Sequence, residues 1–200
     1  MIRALLIASG CGIAATYALT RKLDAVPRDT LLALKKEQLS RTFPESQLPF
    51  DTFELRVPRR LLGPPSRRIT ISEAASSFGH SPVFALERWL IFNAGLADNV
   101  AVPHSFDQGN KMAIWTVEAR AHNQLLLSWS AKGAPFSGST FLSVGETEDG
   151  ASAVIRFGSG LNVPKGRDVS QVSLNLHYFY SRVLLVNTAA VMVFRGLTAP

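Results

Sequence analysis

The chain has 200 residues, a formal net charge of +6 and a single cysteine, Cys11, so it holds one domain of ordinary size and no disulfide framework or thiolate metal site within one chain. The basic excess lies in residues 1–68, with 12 Lys and Arg against 6 Asp and Glu, whereas residues 69–200 hold 9 of each. Because the larger part is neutral, we expect no nucleic-acid partner, which would require a basic patch on the folded domain.

The first predicted element is the uncharged stretch "ALLIASGCGIAATYAL", residues 4–19, with basic residues on both sides. As a helix of about 1.5 Å per residue it would span roughly 24 Å, which is short of the roughly 30 Å hydrocarbon core of a bilayer. A signal peptide, a signal anchor and a mitochondrial import sequence whose apolar part stays in the membrane are the three alternatives. Since no clear Ala-x-Ala cleavage site follows, we expect residues 1–22 to be a retained anchor. A mitochondrial membrane and an endomembrane both remain open as its location.

Residues 23–50 are polar and mixed in charge, and they predict a stalk that contains a short amphipathic helix in "DTLLALKKEQL". Residues 51–200 are expected to form the globular domain. Its first element is the strand-like "PFDTFELRVP", and the following Pro64 and Pro65 require a loop because proline continues neither a helix nor a central strand.

Two consecutive short helices are predicted next. In "TISEAASSFG", Thr70 and Glu73 have the spacing of a capping box. In "SPVFALERWLIFNAGL", Ser81 precedes a proline at the first helical position, and Gly95 with the following leucine is typical of a Schellman ending.

From residue 111 the apolar residues alternate with a period of two, which predicts two hairpins. A turn centred on His122 would bring together the pairs Trp115–Trp129, Val117–Leu127 and Ala119–Leu125. A two-residue turn at Asp149-Gly150 would bring together the pairs Val144–Ile155 and Leu142–Phe157.

The last predicted element is a buried amphipathic helix that ends at Gly196. Its apolar stripe follows alternating spacings of four and three: Val172, Leu176, Phe179, Val183, Val186, Ala190 and Val193. Arg182 and Asn187 lie within the same stretch and argue against a second membrane span.

Four segments carry a resemblance to a known family: "LERWLIFNAGLAD" (86–98), "GNKMAIWTVEARAHNQLLLSW" (109–129), "GSTFLSVGETEDGASAVIRFGSGL" (138–161) and "LHYFYSRVLL" (176–185). They resemble the successive blocks of an uncharacterised START-like family, related to polyketide-cyclase and lipid-transfer domains. The resemblance covers roughly residues 50–196. It implies an α+β helix-grip fold, in which a curved antiparallel sheet wraps a long C-terminal helix, here preceded by the hydrophobic anchor helix.

The resemblance also implies an apolar cavity between sheet and helix for a lipid, sterol, quinone or polyketide-like molecule. The candidate wall residues are Trp115, Val117, Trp129, Val144, Ile155, Phe157, Tyr178 and Arg182. Plain packing is the alternative for the two tryptophans, because indole rings are large core fillers. Relatives carry a histidine in the middle of the last helix, whereas His177 lies earlier here, so no role is carried over to it.

No metal site and no cofactor are predicted, because the four histidines lack metal-binding spacings and the glycine-rich stretches lack a phosphate-binding lysine. Glu118, Arg120 and Arg156 have strand positions that allow them to approach one another. They would form either a buried pair for a polar ligand head or an exposed ion pair.

We therefore expect a membrane-anchored, non-enzymatic domain that binds an apolar small molecule such as a lipid or quinone, held in the membrane by residues 4–19. The second hypothesis is a structural or assembly subunit with a membrane-protein partner, and it is favoured by the small residues that recur every fourth position from Ala4. The third hypothesis is a cyclase- or hydrolase-type enzyme, for which Glu118, His177 and the tyrosines are the available acids and bases.

Overall fold

A computed structural model of the chain describes residues 14–23, 51–64, 67–98, 100–130, 132, 137–162 and 169–198. The helices are α1 (Ile71–Gly79), α2 (Pro82–Asn93) and α3 (Gln171–Thr198). The strands are β1 (Thr20–Leu23), β2 (Asp51–Pro58), β3 (Lys111–Met112), β4 (Trp115–Ala121), β5 (Gln124–Ser130), β6 (Ser137–Glu146) and β7 (Ser152–Asn162). They form one antiparallel sheet of seven strands in the order β1-β2-β7-β6-β5-β4-β3. The α+β class and the long C-terminal helix are confirmed, and the arrangement is consistent with the helix-grip plan.

Strand β1 was not predicted. It pairs with β2 from Thr20 opposite Leu55 to Leu23 opposite Thr52, and residues 14–19 immediately before it are helical. The sheet therefore includes four residues that the sequence analysis assigned to the anchor and the stalk. Residues 1–13 and 24–50 of those two segments lie outside the described residues. Within the described part of the chain, no helix is long and apolar enough to cross a membrane.

The predicted ends of the short helices are confirmed. At the start of α1, the Thr70 hydroxyl accepts the Glu73 N–H at 3.2 Å, and the Glu73 carboxylate accepts the Thr70 N–H at 3.1 Å. At the end of α2, Gly95 has a φ of 69°, and the Leu96 N–H donates to the Ile91 carbonyl at 3.0 Å. These bonds satisfy backbone groups that a helix end leaves without partners.

The register of the first hairpin is confirmed at its open end and wrong near its turn. The confirmed pairs are Trp115–Trp129 and Val117–Leu127. A β-bulge between Val117 and Ala119 then shifts the pairing, so that Ala119 lies opposite Leu126 and not Leu125. The extra residue of the bulge is Glu118, and one inserted residue cannot be seen in a pattern of period two.

The register of the second hairpin is confirmed, whereas its turn is longer than the two residues predicted. Val144 lies opposite Ile155, and Leu142 lies opposite Phe157. The Thr147 N–H donates to the Ser152 carbonyl at 3.0 Å, so residues 148–151 connect the strands. Gly150 has a φ of 66° and supplies the left-handed residue of this turn.

The predicted apolar stripe of α3 is not the fully buried face, although Val186 and Val193 are half-buried and pack against the core. Val172 and Leu176 are 68% and 63% exposed, and Ala190 is exposed as well. The buried positions are Ser181, Leu184, Leu185, Thr188, Ala189, Met192 and Gly196. Small side chains on this face allow a close approach of backbones: a Cβ atom at Gly196 would lie 2.6 Å from the Leu62 carbonyl carbon. A pattern that counts only apolar residues overlooks this kind of contact. The helix also continues past Gly196 to Thr198.

Candidate functional site

The eight predicted wall residues occupy two separate environments. Five are buried in the core, Trp115, Val117, Val144, Ile155 and Phe157, and the half-buried Trp129 packs against the same core. Tyr178 and Arg182 are half-buried near the start of α3, where Tyr178 also packs against the edge of the core. The predicted wall thus runs from a packed interior to a polar cluster at one end of the sheet.

Aromatic rings from the two short helices occupy the interior beside the predicted wall. The Phe84 ring lies 4.5 Å from that of Phe78 and 4.9 Å from that of Trp115, and Phe78 lies 5.8 Å from Phe157. The Trp115 indole N–H donates to the Thr140 hydroxyl at 3.4 Å. Trp115 therefore has packing and hydrogen-bond partners within the chain, which agrees with the packing alternative for this residue.

Trp129 packs on the neighbouring strand. A Cβ atom at Gly138 would lie 2.4 Å from Cζ2 of the Trp129 ring, so only glycine permits this contact. Trp115 and Trp129 are paired at the open end of the β4–β5 hairpin, and Trp129 also packs on Gly138. Both tryptophans therefore have a structural role there.

A cleft of about 520 Å³ lies beside the turn of that hairpin and includes none of the predicted wall residues. Its lining residues are Asp107, Gln108, Ala119, Arg120, Ala121 and His122. Arg120 bonds to Asp107 at 3.2 Å and to the Ser72 hydroxyl at 2.7 Å. These bonds already occupy the charged groups of the cleft.

The predicted cluster of Glu118, Arg120 and Arg156 does not form. Glu118 accepts a hydrogen bond from the Ser128 hydroxyl, and Arg156 pairs with the buried Glu54 at 3.0 Å. The bulge at Glu118 shifts the pairing of the β4 residues that follow it, so they face different neighbours from those in the predicted register.

The polar cluster is built around Asp51, the first residue of β2, and we call it the Asp51 cluster: Lys22, Asp51, His177 and Tyr178. The Asp51 carboxylate lies 3.7 Å from Nε2 of His177 and interacts with the Tyr178 hydroxyl. The Lys22 ammonium lies 4.7 Å from the centre of the Tyr178 ring. The pairing of β1 with β2 and the packing of α3 bring these residues together from three elements.

The acid and the base of this cluster are both shifted towards their neutral forms. Burial raises the pKa of Asp51 to about 6, although Lys22 and the Tyr178 hydroxyl oppose the shift. Burial lowers the pKa of His177. At neutral pH we therefore expect an uncharged imidazole beside a carboxyl group that titrates just below neutrality, and no full ion pair, despite their proximity.

His177 has unused hydrogen-bonding capacity. Its Nε2 atom is buried and finds no hydrogen-bond partner among the residues that the structure describes. A buried polar atom of this kind costs free energy unless another group, such as a ligand or a water molecule, satisfies it. This atom is the strongest local indication of a ligand.

Arg182 fixes the position of the cluster and is not free to bind a ligand through all its donors. Its guanidinium lies 4.6 Å from the ring centres of both Tyr17 and Phe53. It also donates to the Thr20 carbonyl at 3.0 Å and to the Thr20 hydroxyl at 2.7 Å. Arg182 thereby ties α3 to the start of β1 through stacking and hydrogen bonds.

A second acid, the half-buried Glu87, links α2 to α3. The Tyr180 hydroxyl donates a hydrogen bond to the Glu87 carboxylate. Burial raises the pKa of Glu87 to about 7 and also raises that of Tyr180. The neighbouring Arg88 has buried Nε and Nη1 atoms without a hydrogen-bond partner in the described part of the chain, so its cation does not pair with Glu87.

Sequence reasoning identified Tyr178, His177 and Arg182 and missed Asp51, Lys22 and Glu87. Lys22 reaches the cluster only through the unpredicted strand β1, whereas Asp51 begins the predicted strand β2 and lies beside α3 only in the folded chain. Glu87 had a usable signal, because an acid within the apolar run "VFALERWLIF" requires a buried partner.

No protein-family model matches the sequence, and the search of curated proteins finds no match. Among the described residues, no group of three or more His, Cys, Asp or Glu side chains is placed to hold a metal ion.

Proposed function

We propose that the chain is a membrane-anchored START-like domain of the helix-grip type that binds an apolar small molecule carrying a hydroxyl or similar polar group, without catalysing a reaction on it. The fold supports this proposal through its order of elements: a seven-stranded antiparallel sheet, two short helices after β2, and one long C-terminal helix. The uncharged stretch over residues 4–19 supports the membrane location.

The observation that carries the proposal is the unpartnered Nε2 atom of His177 beside Asp51. A ligand hydroxyl can donate to the neutral imidazole and accept from a protonated carboxyl group, which satisfies both protein groups at once. The shifted pKa values of both residues favour this pair of neutral forms near pH 6. A lipid, sterol or reduced quinone offers such a hydroxyl.

The surroundings of the Asp51 cluster suit the apolar part of the same ligand. The fully buried Phe53 ring lies 6.5 Å from that of Tyr178, and Leu176 next to His177 is 63% exposed. A polar group held at Asp51 would thus place an attached hydrocarbon beside aromatic and aliphatic side chains.

The test is native mass spectrometry of the full chain extracted gently from its own membrane, before and after delipidation. We expect a discrete adduct that delipidation removes and that returns on adding the extracted lipid. His177→Ala should weaken this rebinding about tenfold, because a lost hydrogen bond to a buried group costs about 1–3 kcal/mol. His104→Ala, at an exposed histidine, is the matched control and should rebind like the parent chain.

Two results would overturn the proposal. The first is the absence of any saturable adduct, and comigration of the chain with other proteins in that case would favour the assembly-subunit alternative. The second is an adduct that His177→Ala and His104→Ala retain equally, since the ligand would then lie away from the Asp51 cluster.

A further inference from the structure

Helix α2 and the start of α3 expose large apolar side chains that the core does not use. More than half of the side-chain surface is exposed at Leu86, Trp89, Leu90, Val172 and Leu176. On α2 the first three lie at spacings of three and four, so they share one face of the helix. Only Phe84 of this helix is fully buried. An ordered apolar helix face exposed to this extent marks an interaction surface.

The exposed residues of α2 and of α3 lie near the same part of α3, the turn that holds Phe179 and Tyr180. Tyr180 bonds to Glu87, which lies between Leu86 and Leu90 on α2. One residue earlier, Phe179 stacks on Tyr17 with ring centres 6.1 Å apart. Leu176 lies three and four residues before these two contacts, on the face of α3 between them.

The chain enters the domain at this same place. Residues 14–19 are helical, and Leu19 is 56% exposed. The next residue, Thr20, is held by Arg182 of α3. Whatever surrounds the apolar stretch that ends at Leu19 therefore also surrounds the exposed face of α2 and α3.

The exposed charged residues of β1 beside this surface are cationic. Arg21 and Lys22 are exposed on β1, directly after the apolar stretch. The acids that contact α3 here are the buried Asp51 and the half-buried Glu87, whose pKa values are raised to about 6 and about 7 respectively. A basic rim around an apolar surface matches an anionic lipid leaflet, in which each such cation contributes about 1 kcal/mol.

We infer that the face formed by Leu86, Trp89, Leu90, Val172 and Leu176, which we call the α2–α3 face, lies on the surface of an anionic lipid bilayer. This inference rests on the membrane location in the proposed function. An exposed tryptophan suits the boundary between headgroups and acyl chains, where indole rings concentrate. The bilayer also accounts at once for the apolar stretch, the basic rim and the exposed helix face. The Asp51 cluster then opens towards the lipid, so an apolar ligand can exchange with the bilayer without crossing water.

Labels placed at two positions test this orientation. The full chain with Cys11→Ala receives either Leu90→Cys or Glu148→Cys, each carrying an environment-sensitive fluorophore. Glu148 is exposed in the β6–β7 turn, at the opposite end of β2 from Asp51. The probes are phosphatidylcholine vesicles with and without phosphatidylserine, carrying a lipid-bound quencher.

We expect the quencher to reduce the emission of the label at residue 90 several-fold and to leave the label at residue 148 unchanged, with stronger quenching when phosphatidylserine is present. Leu86→Glu with Leu90→Glu should reduce quenching of a label placed at Leu176. Both substituted side chains are more than half exposed, so the fold is retained, and circular dichroism checks this.

Three results would overturn the inference. The first is a chain that does not sediment with vesicles. The second is a chain that sediments while the label at residue 90 stays in water. The third is a label shielded from the quencher but transferring energy to a second labelled copy, which would make the face a contact between chains. The first result would also contradict the membrane location in the proposed function, whereas the second and third leave that location standing. None of the three changes the adduct measured by native mass spectrometry, so failure of ligand binding is recognised separately.

Discussion

Phe84→Ala is expected to lower the free energy of unfolding by about 3–5 kcal/mol, the range for removing a buried phenylalanine ring. Phe84 has no exposed surface and packs between the rings of Phe78 and Trp115. Its loss leaves a cavity beside the predicted wall of the ligand site. Urea denaturation followed by circular dichroism measures the change.

Phe92→Ala is the matched control, because Phe92 lies on the same helix and is 46% exposed. A change within about 0.5 kcal/mol is expected there. If Phe84→Ala cost no more than the control, the rings around Trp115 would not be tightly packed. The interior would then be available to an apolar ligand, in agreement with the original wall prediction.

Glu87→Gln is expected to raise the free energy of unfolding by about 3 kcal/mol at pH 8 and to have little effect below pH 4.5. The pKa of Glu87 is about 7 in the folded chain against an ordinary value of 4.5. An acid with a raised folded-state pKa stabilises the fold below its unfolded pKa, and this stability is lost as the pH rises through the folded pKa. Glutamine keeps an acceptor for the Tyr180 hydroxyl and cannot ionise.

Urea unfolding from pH 4 to pH 8 checks this prediction. The curve for Glu87→Gln should diverge from that of the parent chain between about pH 5 and pH 7. Asp51 titrates in part of the same range, but it is present in both chains and cancels in the difference. Glu148→Gln, at an exposed carboxylate, should follow the parent curve throughout. A Glu87→Gln curve parallel to the parent curve would contradict the burial of an ionisable carboxylate at the α2–α3 contact.

Local signals in the sequence predicted the fold well where neighbouring residues determine the structure. The Thr70 capping box, the Gly95 helix end and the hairpin pairs at Trp115 and Val144 depend on residues close in sequence or on a regular alternation. The buried face of α3 was predicted only in part, because it includes small residues such as Gly196, which fits against the backbone at Leu62 and carries no hydrophobic signal.

The candidate site was predicted only on its α3 side. Tyr178 and Arg182 share a helix face, which a spacing of four reveals. Their partners Asp51 and Lys22 come from two strands far away in sequence, and the position of Lys22 depends on the pairing of β1 with β2. The charge and composition around Lys22 fit a residue that flanks a membrane segment as well as a residue of strand β1. No local pattern in the sequence therefore distinguishes these two roles.

Strand β1 also protects the sheet against self-association. It covers the outer side of β2 from Thr52 to Leu55, where the strand would otherwise present free N–H and C=O groups along an extended edge. Such an edge is a template on which another chain adds a strand, and it leads to aggregation. Any proteolytic processing that removes the apolar stretch must therefore stop before residue 20 if this part of β2 is to stay covered.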